Sequence, residues 1–145
     1  MTATLKKLMG EAGAGFDDSM GFNNLYDVLV ALAEVAGEKM HAYQDTIATA
    51  TIASMIADKA GTLSSFRIAA ATTGTAGDTD VQVQLNGVSQ QELTIDNTDA
   101  DGTKKSATLS VAVAAGDLVE LVVTAAPTAG AGLTASATIL PVTIE

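Results

Sequence analysis

The stretch from residue 81 to residue 139 constrains the fold most, because short runs of alternating apolar and polar residues recur along it. Turn residues separate these runs. The runs are residues 81–85, 108–113, 118–124 and 133–139, and the breaks contain Asn86-Gly87, Gly116-Asp117, Pro127 and Gly130. A period of two places successive side chains on opposite faces of a β-strand. Several such strands joined by turns predict a mainly β fold, an antiparallel β-sandwich of jelly-roll type.

Residues 44–61 allow two interpretations. The β-branched alternation of residues 46–52 favours a strand, whereas Ile52, Met55 and Ile56 ahead of Gly61 would also suit a helix with a glycine C-cap. We prefer the strand, followed by a turn at 58–61, a strand at 63–69 and a Gly-rich loop at 72–80. The predicted domains are therefore an N-terminal arm and helix, residues 1–45, and a β-sandwich, residues 46–145.

One amphipathic helix is predicted after Asn24, its N-cap, and it ends at Gly37 or runs on to Met40. Its apolar stripe packs either against the sandwich or against two further copies of the chain, and both alternatives stay open. The residues of the stripe that we expect at an attachment or oligomer interface are Leu25, Val28, Leu29, Leu32 and Val35.

The arm, residues 1–22, contains Gly10, Gly13, Gly15 and Gly21, and frequent glycine raises the entropic cost of ordering a segment. A terminus without fixed structure in the free protein is the favoured interpretation. The alternative is a tether that becomes ordered on a partner, with Phe16 and Phe22 as anchors. Removing residues 1–44 is then expected to leave the sandwich folded but unable to attach.

Composition favours an oligomer and argues against a nucleic-acid or anionic-membrane partner. Hydrophobic residues make up 48% of the chain but aromatic residues only 3%, so each buried side chain contributes little apolar area. Up to Ala60 the chain has 4 basic and 8 acidic residues, and beyond it 3 basic and 9 acidic, so the total of −10 is spread over both parts. This distribution predicts no nucleic-acid partner and no membrane partner. No apolar signal core or bilayer-length run is present, which predicts synthesis and assembly in the cytoplasm.

Motifs for catalysis, cofactors and metals are weak. Residues 97–102 resemble the start of a calcium loop, but the twelfth position is Thr108 and Lys105 stands among the potential ligands, so a solvated hairpin loop is the preferred interpretation. His41 is the only histidine and there is no cysteine. The sequence also contains no G-x-S-x-G motif for a catalytic serine. We therefore predict no enzyme activity, no cofactor and no metal. Beyond Phe66 there are no aromatic residues, which argues against a sugar-stacking tip on the β part.

The residues of the β part also carry a family resemblance. The runs at 81–87, 93–95 and 111–123, closed by residues 130–139, resemble the short C-terminal jelly-roll modules of tailed-phage virion accessory proteins. The resemblance implies a capsid decoration or head-fibre protein that binds the major capsid protein through its N-terminal part, as a homotrimer on the capsid surface. A tail or baseplate fibre subunit with a host-binding β module is the alternative. The missing aromatic residues favour the capsid.

Overall fold

The computed structural model describes residues 37–141, which form two four-stranded antiparallel sheets. The strands are β1 (Glu38–Thr46), β2 (Ala50–Ile56), β3 (Gly61–Thr72), β4 (Thr79–Leu85), β5 (Val88–Ile95), β6 (Lys104–Val113), β7 (Leu118–Ala125) and β8 (Ala131–Pro141). One sheet, called sheet A, has the order β1-β8-β3-β6, and sheet B has the order β2-β7-β4-β5. The predicted antiparallel β-sandwich is confirmed.

The core lies between the two sheets and is built by alternation along the strands. Every second residue of β8 is buried, and the same period holds in β4 and β7. Phe66 is the only aromatic side chain in the core of the described part, and it is fully buried. The other fully buried large apolar side chains are Leu63, Val81, Val83, Ile95, Val119, Leu121, Val123 and Leu133.

A β-bulge in β3 explains why Leu63 and Phe66, three residues apart, both point into the core. Between Leu63 and Ser65 the chain advances two residues in β3 but only one in β8, so relative to β8 one extra residue enters β3 there. Ser64 Oγ donates a hydrogen bond to the Thr138 carbonyl at 3.2 Å. The bulge therefore changes the parity of the strand, and Phe66, Ile68 and Ala70 are buried beyond it.

The start of the sandwich differs from the prediction. β1 begins at Glu38 and pairs with β8 along its length, so residues 38–45, assigned to the arm and helix, belong to the β part. A helix that runs on to Met40 is wrong, because Met40 lies in β1 opposite Ala137. Removing residues 1–44 would thus delete most of β1, an edge strand that contributes Met40 and Ala42 to the core, so we now expect the remainder to lose stability, as tested below. The arm and residues 24–36 of the predicted helix lie outside the described residues.

The segment with two interpretations forms a strand, which contradicts the helical alternative. This strand, β2, is displaced toward the C-terminus of the predicted run and contains a bulge between Thr51 and Ala53. The turn expected at 58–61 is present between β2 and β3.

Over residues 37–141 the structure contains no helix capable of crossing a membrane.

The antiparallel order gives the sandwich two different ends. We call the end where β1 begins and β8 finishes the proximal end; it also carries the connections at 57–60, 86–87 and 114–117. The opposite, distal end carries the connections at 47–49, 73–78, 96–103 and 126–130. Residues 1–36 and 142–145 therefore join the sandwich at the same, proximal end.

Candidate functional site

The proximal end carries most of the exposed large apolar side chains in the described part. Ile56 at the end of β2 is 65% exposed, Val88 at the start of β5 is 62% exposed, and Leu140 near the end of β8 is 46% exposed. Single exposed apolar residues are normal on a protein surface, but these three share one end of the fold. This end is also the point where residues 1–36 join.

Backbone hydrogen bonds tie the proximal turns to one another. The Ala57 N–H donates to the Asp117 carbonyl at 2.9 Å, and the Gly116 N–H donates to the Ala57 carbonyl at 2.8 Å. The Asn86 N–H donates to the Leu118 carbonyl at 2.8 Å. Because three connections from different parts of the chain are linked, the proximal end is a continuous surface.

A cleft of ≈ 200 Å³ opens where the chain enters the sandwich, lined in part by Gly37, Lys59 and Pro141. Glu38 Oε1 accepts a hydrogen bond from the Asp58 N–H at 3.1 Å, which fixes the β2–β3 turn against β1. Gly37 has φ +76°, and a Cβ on it would lie 2.5 Å from the Ile139 carbonyl oxygen. The entry point thus requires glycine for both its conformation and its close backbone contact.

At the distal end, the carboxylates of the calcium-like loop bond to protein groups. Asp101 Oδ1 accepts from the buried Thr73 N–H at 2.9 Å, and the Thr73 hydroxyl donates to the Asp99 carbonyl at 3.0 Å. Asp99 Oδ2 lies 3.2 Å from Lys105 Nζ. Asp96 accepts from the Thr98 hydroxyl at 2.6 Å, and this bond is the main cause that lowers the pKa of Asp96.

The hydrogen bonds from Thr73 to Asp99 and Asp101 hold the β3–β4 connection against this loop. No group of three or more metal-ligating side chains occurs between Gly37 and Pro141. Calcium independence of the loop stays a prediction, tested below.

The outward face of sheet A collects positive charge in an acidic protein. His41 pairs with Ser136 across β1 and β8, Ser136 pairs with Arg67, and Arg67 pairs with Ser106, which forms one row across all four strands. Lys39 lies in the row on the proximal side of it and Lys104 in the row on the distal side. We call Lys39, His41, Arg67 and Lys104 the basic face.

Two shallow grooves run over the basic face and meet at Arg67 and Ser136. The groove toward β1 has a volume of ≈ 420 Å³ and is lined by Lys39 and His41, among others. The groove toward β6 has a volume of ≈ 290 Å³ and is lined by Lys104. Lys105 also lines the groove toward β6, and serine and threonine side chains supply the other polar lining: Ser65, Ser106, Thr134, Ser136 and Thr138.

The outward face of sheet B has the opposite charge. Asp80, Glu92 and Glu120 lie on it, each bonded to a polar neighbour. Glu92 accepts from Gln82 Nε2 at 2.8 Å, and Glu120 accepts from the Ser54 hydroxyl at 3.3 Å. The two faces of the sandwich are therefore electrostatically distinct.

The structure places the sequence-predicted candidates in separate regions. Phe16, Phe22, Leu25, Val28, Leu29, Leu32 and Val35 lie outside the described residues. His41 is exposed on the basic face, on the opposite side of sheet A from the core, and the calcium-like loop lies at the distal end. Arg67 and Lys104 were not among the predicted site residues, because the only sequence signal for them is their place in alternating strands.

Comparisons with known proteins give weak similarity only. No protein family matches the chain, and no curated protein sequence matches it. Among solved structures, a Podospora anserina GH26-CBM35 β-(1,4)-mannanase is 15% identical, with a TM-score of 0.41 over 77% of this chain and 27% of that one. The dimeric latent PorU from Porphyromonas gingivalis is 15% identical, with a TM-score of 0.33 over 71% of this chain and 10% of that one. The chain thus spans a small part of either protein.

Proposed function

We propose that this chain is a structural protein of a tailed-phage virion, a capsid decoration or head-fibre protein that binds the major capsid protein as a homotrimer. The observation that carries the proposal is the common end of the sandwich at which residues 1–36 join and Ile56, Val88 and Leu140 are exposed. A module attached through that end presents its distal loops away from the particle. The protein would be made in the host cytoplasm and reside on the capsid surface.

The strand order supports the finer assignment of a jelly roll. Six of the seven connections pass from one sheet to the other, and only β4 and β5 are joined as a hairpin within a sheet. Two four-stranded sheets with this alternation match the double Greek key of jelly-roll modules. This agrees with the resemblance to phage accessory modules found in the sequence.

The small-residue core supports oligomerisation. Alanine fills several inward positions, among them Ala42, Ala70, Ala135 and Ala137, and contributes little apolar area. A trimer formed by the stripe at Leu25, Leu29 and Leu32 would add burial that the sandwich lacks. Light scattering of the purified chain tests this, and a folded monomer at micromolar concentration would rule out the trimer.

Attachment is tested by co-sedimentation with particles stripped of the protein. Leu29→Asp and a chain lacking residues 1–36 should fail to bind, because burial of each leucine is worth about 1.5–3 kcal/mol and a trimer repeats the loss. Ile56→Asp should weaken binding if the proximal end contacts the capsid. Tyr43→Asp is the matched control, since Tyr43 is 64% exposed but projects from the outward face of sheet A.

Equal binding by the intact chain and the truncated chain would place the anchor in the sandwich and refute this orientation. Electron microscopy of particles carrying labelled protein separates the capsid location from the alternative, a tail or baseplate fibre subunit. Label over the shell supports decoration, and label at the tail supports the fibre subunit.

A further inference from the structure

The basic face stands out because its charge is not neutralised within the fold. The chain has a formal net charge of −10, yet Lys39, Arg67 and Lys104 lie on one outward sheet surface. In residues 37–141 none of these three forms an ion pair, whereas Lys105, next in sequence to Lys104, is paired with Asp99. Asp45, at the distal end of β1, is the acidic residue on the same face.

The spacing of these cations suits an extended ligand. Lys39 and His41 occupy alternate positions of β1, about 7 Å apart, and Arg67 lies two strands away, about 10 Å from the His41 position. Lys104 lies on β6, at the opposite edge of the sheet. The two grooves join these positions diagonally through Arg67 and Ser136, so a polymer can contact all of them at once.

The lining between the cations favours a polyhydroxylated ligand over a protein. Protein interfaces depend on large apolar or aromatic anchors near their centre. Here the exposed apolar residues of the face, Tyr43 and Leu140, lie apart in different rows, and hydroxyl side chains occupy the centre. Serine and threonine hydroxyls can donate to and accept from sugar hydroxyls, while Arg67 and the lysines form charge-assisted hydrogen bonds with acidic groups.

We propose that the outward face of sheet A binds an anionic polysaccharide, with Arg67 at the centre of the site and Lys39 and Lys104 at its two ends. Recognition by charge and hydroxyl groups does not require a platform of several aromatic rings, and Tyr43 is the one exposed aromatic residue among residues 37–141. A nucleic acid fits less well, because its affinity depends mainly on neutralised phosphates, whereas a polysaccharide also offers many hydroxyl groups to the serine and threonine lining. The proposal goes beyond the virion assignment and does not rest on it.

Calorimetric titration of the full-length chain at low ionic strength tests the proposal. The probes are heparin, which carries sulfates, alginate, which carries carboxylates, neutral dextran, and polyglutamate as an acidic polypeptide. Heparin or alginate should bind, with an affinity that falls as salt is added, and dextran should not bind. The stronger of the two anionic probes identifies the preferred acidic group.

Variants assign the binding to the basic face. Arg67→Gln should weaken binding roughly tenfold, the loss of one charge-assisted contact, and Lys104→Gln, at an exposed position, gives an independent variant if Arg67→Gln unfolds. Lys59→Gln is the matched control, because it removes the same charge at the proximal end. Thermal melts check that each variant is folded.

Three results would overturn the proposal. The first is that neither heparin nor alginate binds at low salt. The second is that Lys59→Gln lowers the affinity as much as Arg67→Gln does. The third is that polyglutamate binds as tightly as the polysaccharides. The last result would indicate an acidic protein partner. Because no phage particle is used, a negative result leaves the attachment test of the proposed function unaffected.

Discussion

Asn86 and Asp117 join two turns of the proximal end through their side chains. Asn86 Nδ2 donates to Asp117 Oδ1 at 3.0 Å, and Asn86 Oδ1 accepts from the Leu118 N–H at 2.9 Å. Asp117 Oδ2 also accepts from the Ala114 N–H at 2.8 Å. The bond from Asn86 and, after it, the bond from Ala114 hold the pKa of Asp117 below its usual value. Asn86 has φ 51°, a left-handed conformation that asparagine tolerates better than most residues.

This relationship predicts acid sensitivity. The pKa of Asp117 is lower in the folded than in the unfolded chain, where it is about 3.9, so its contribution to stability is present above that value. The contribution is lost as the pH falls through the folded pKa. Asp96, whose pKa is also lowered, contributes in the same direction. The thermal midpoint should therefore fall as the pH drops below about 4.

Asp117→Asn should have a lower thermal midpoint than the wild type at pH 7, and this difference in midpoint, the gap, should narrow toward pH 3. Asp58→Asn removes the same charge at the same end and is the control. Melting curves followed by circular dichroism across this pH range provide the measurement. A gap that stays constant with pH would show that the Asp117 carboxylate does not stabilise the fold.

The core gives a prediction with a matched surface control. Phe66→Ala should lower the free energy of unfolding by about 3–5 kcal/mol, because a fully buried aromatic ring leaves a cavity that the strands cannot close. Tyr43→Ala, at an exposed position of the same sheet, should change it by about 0.5 kcal/mol or less. Urea denaturation of both variants measures the difference. Similar effects of the two substitutions would contradict the placement of Phe66 between the sheets.

The sequence predicted the strands well where alternation is regular. β4, β7 and β8 follow the period of two that marked residues 81–139, because each strand has one buried face. β1 was missed although Met40 and Ala42 alternate with exposed residues, since Glu38, Lys39 and Met40 are also good helix formers. Pairing with β8 overrides that local preference, and such a distant partner is not visible in the segment itself.

The basic face could not be derived from the sequence for a related reason. Lys39, Arg67 and Lys104 come from three different strands, and only the non-local strand order and register place them together. Counts of charge over long segments average these cations with acidic residues on other surfaces. The exposure of Ile56 and Val88 could not be predicted either, because apolar side chains in alternating strands are normally expected to be buried.

The distal loop predicts calcium independence together with a structural role for Thr73. Melts in calcium and in chelator should coincide, since an ion that bound only the folded state would raise the midpoint. Thr73→Val should lower the free energy of unfolding by about 1–3 kcal/mol. It removes a buried hydroxyl that donates to the Asp99 carbonyl, so that carbonyl loses this hydrogen-bond donor. Thr75→Val, at an exposed position in the same connection, is the control. A midpoint several degrees higher with calcium would refute the structural interpretation of the loop.

The last prediction concerns where the autonomous β part begins. A chain of residues 37–145 should fold, because it keeps all eight strands and the Gly37 entry. A chain of residues 46–145 lacks β1, so it exposes the edge of β8 and loses the buried side chains of Met40 and Ala42. It should aggregate or remain unfolded.

Circular dichroism melts and size-exclusion chromatography compare the two chains. The full-length variant Ala42→Asp, which places a charge at a buried position of β1, should resemble the shorter chain without any deletion. This variant controls for an effect of chain length alone. Cooperative melting of residues 46–145 at the same temperature as residues 37–145 would mean that β1 is dispensable, and it would restore residue 46 as the start of the sandwich.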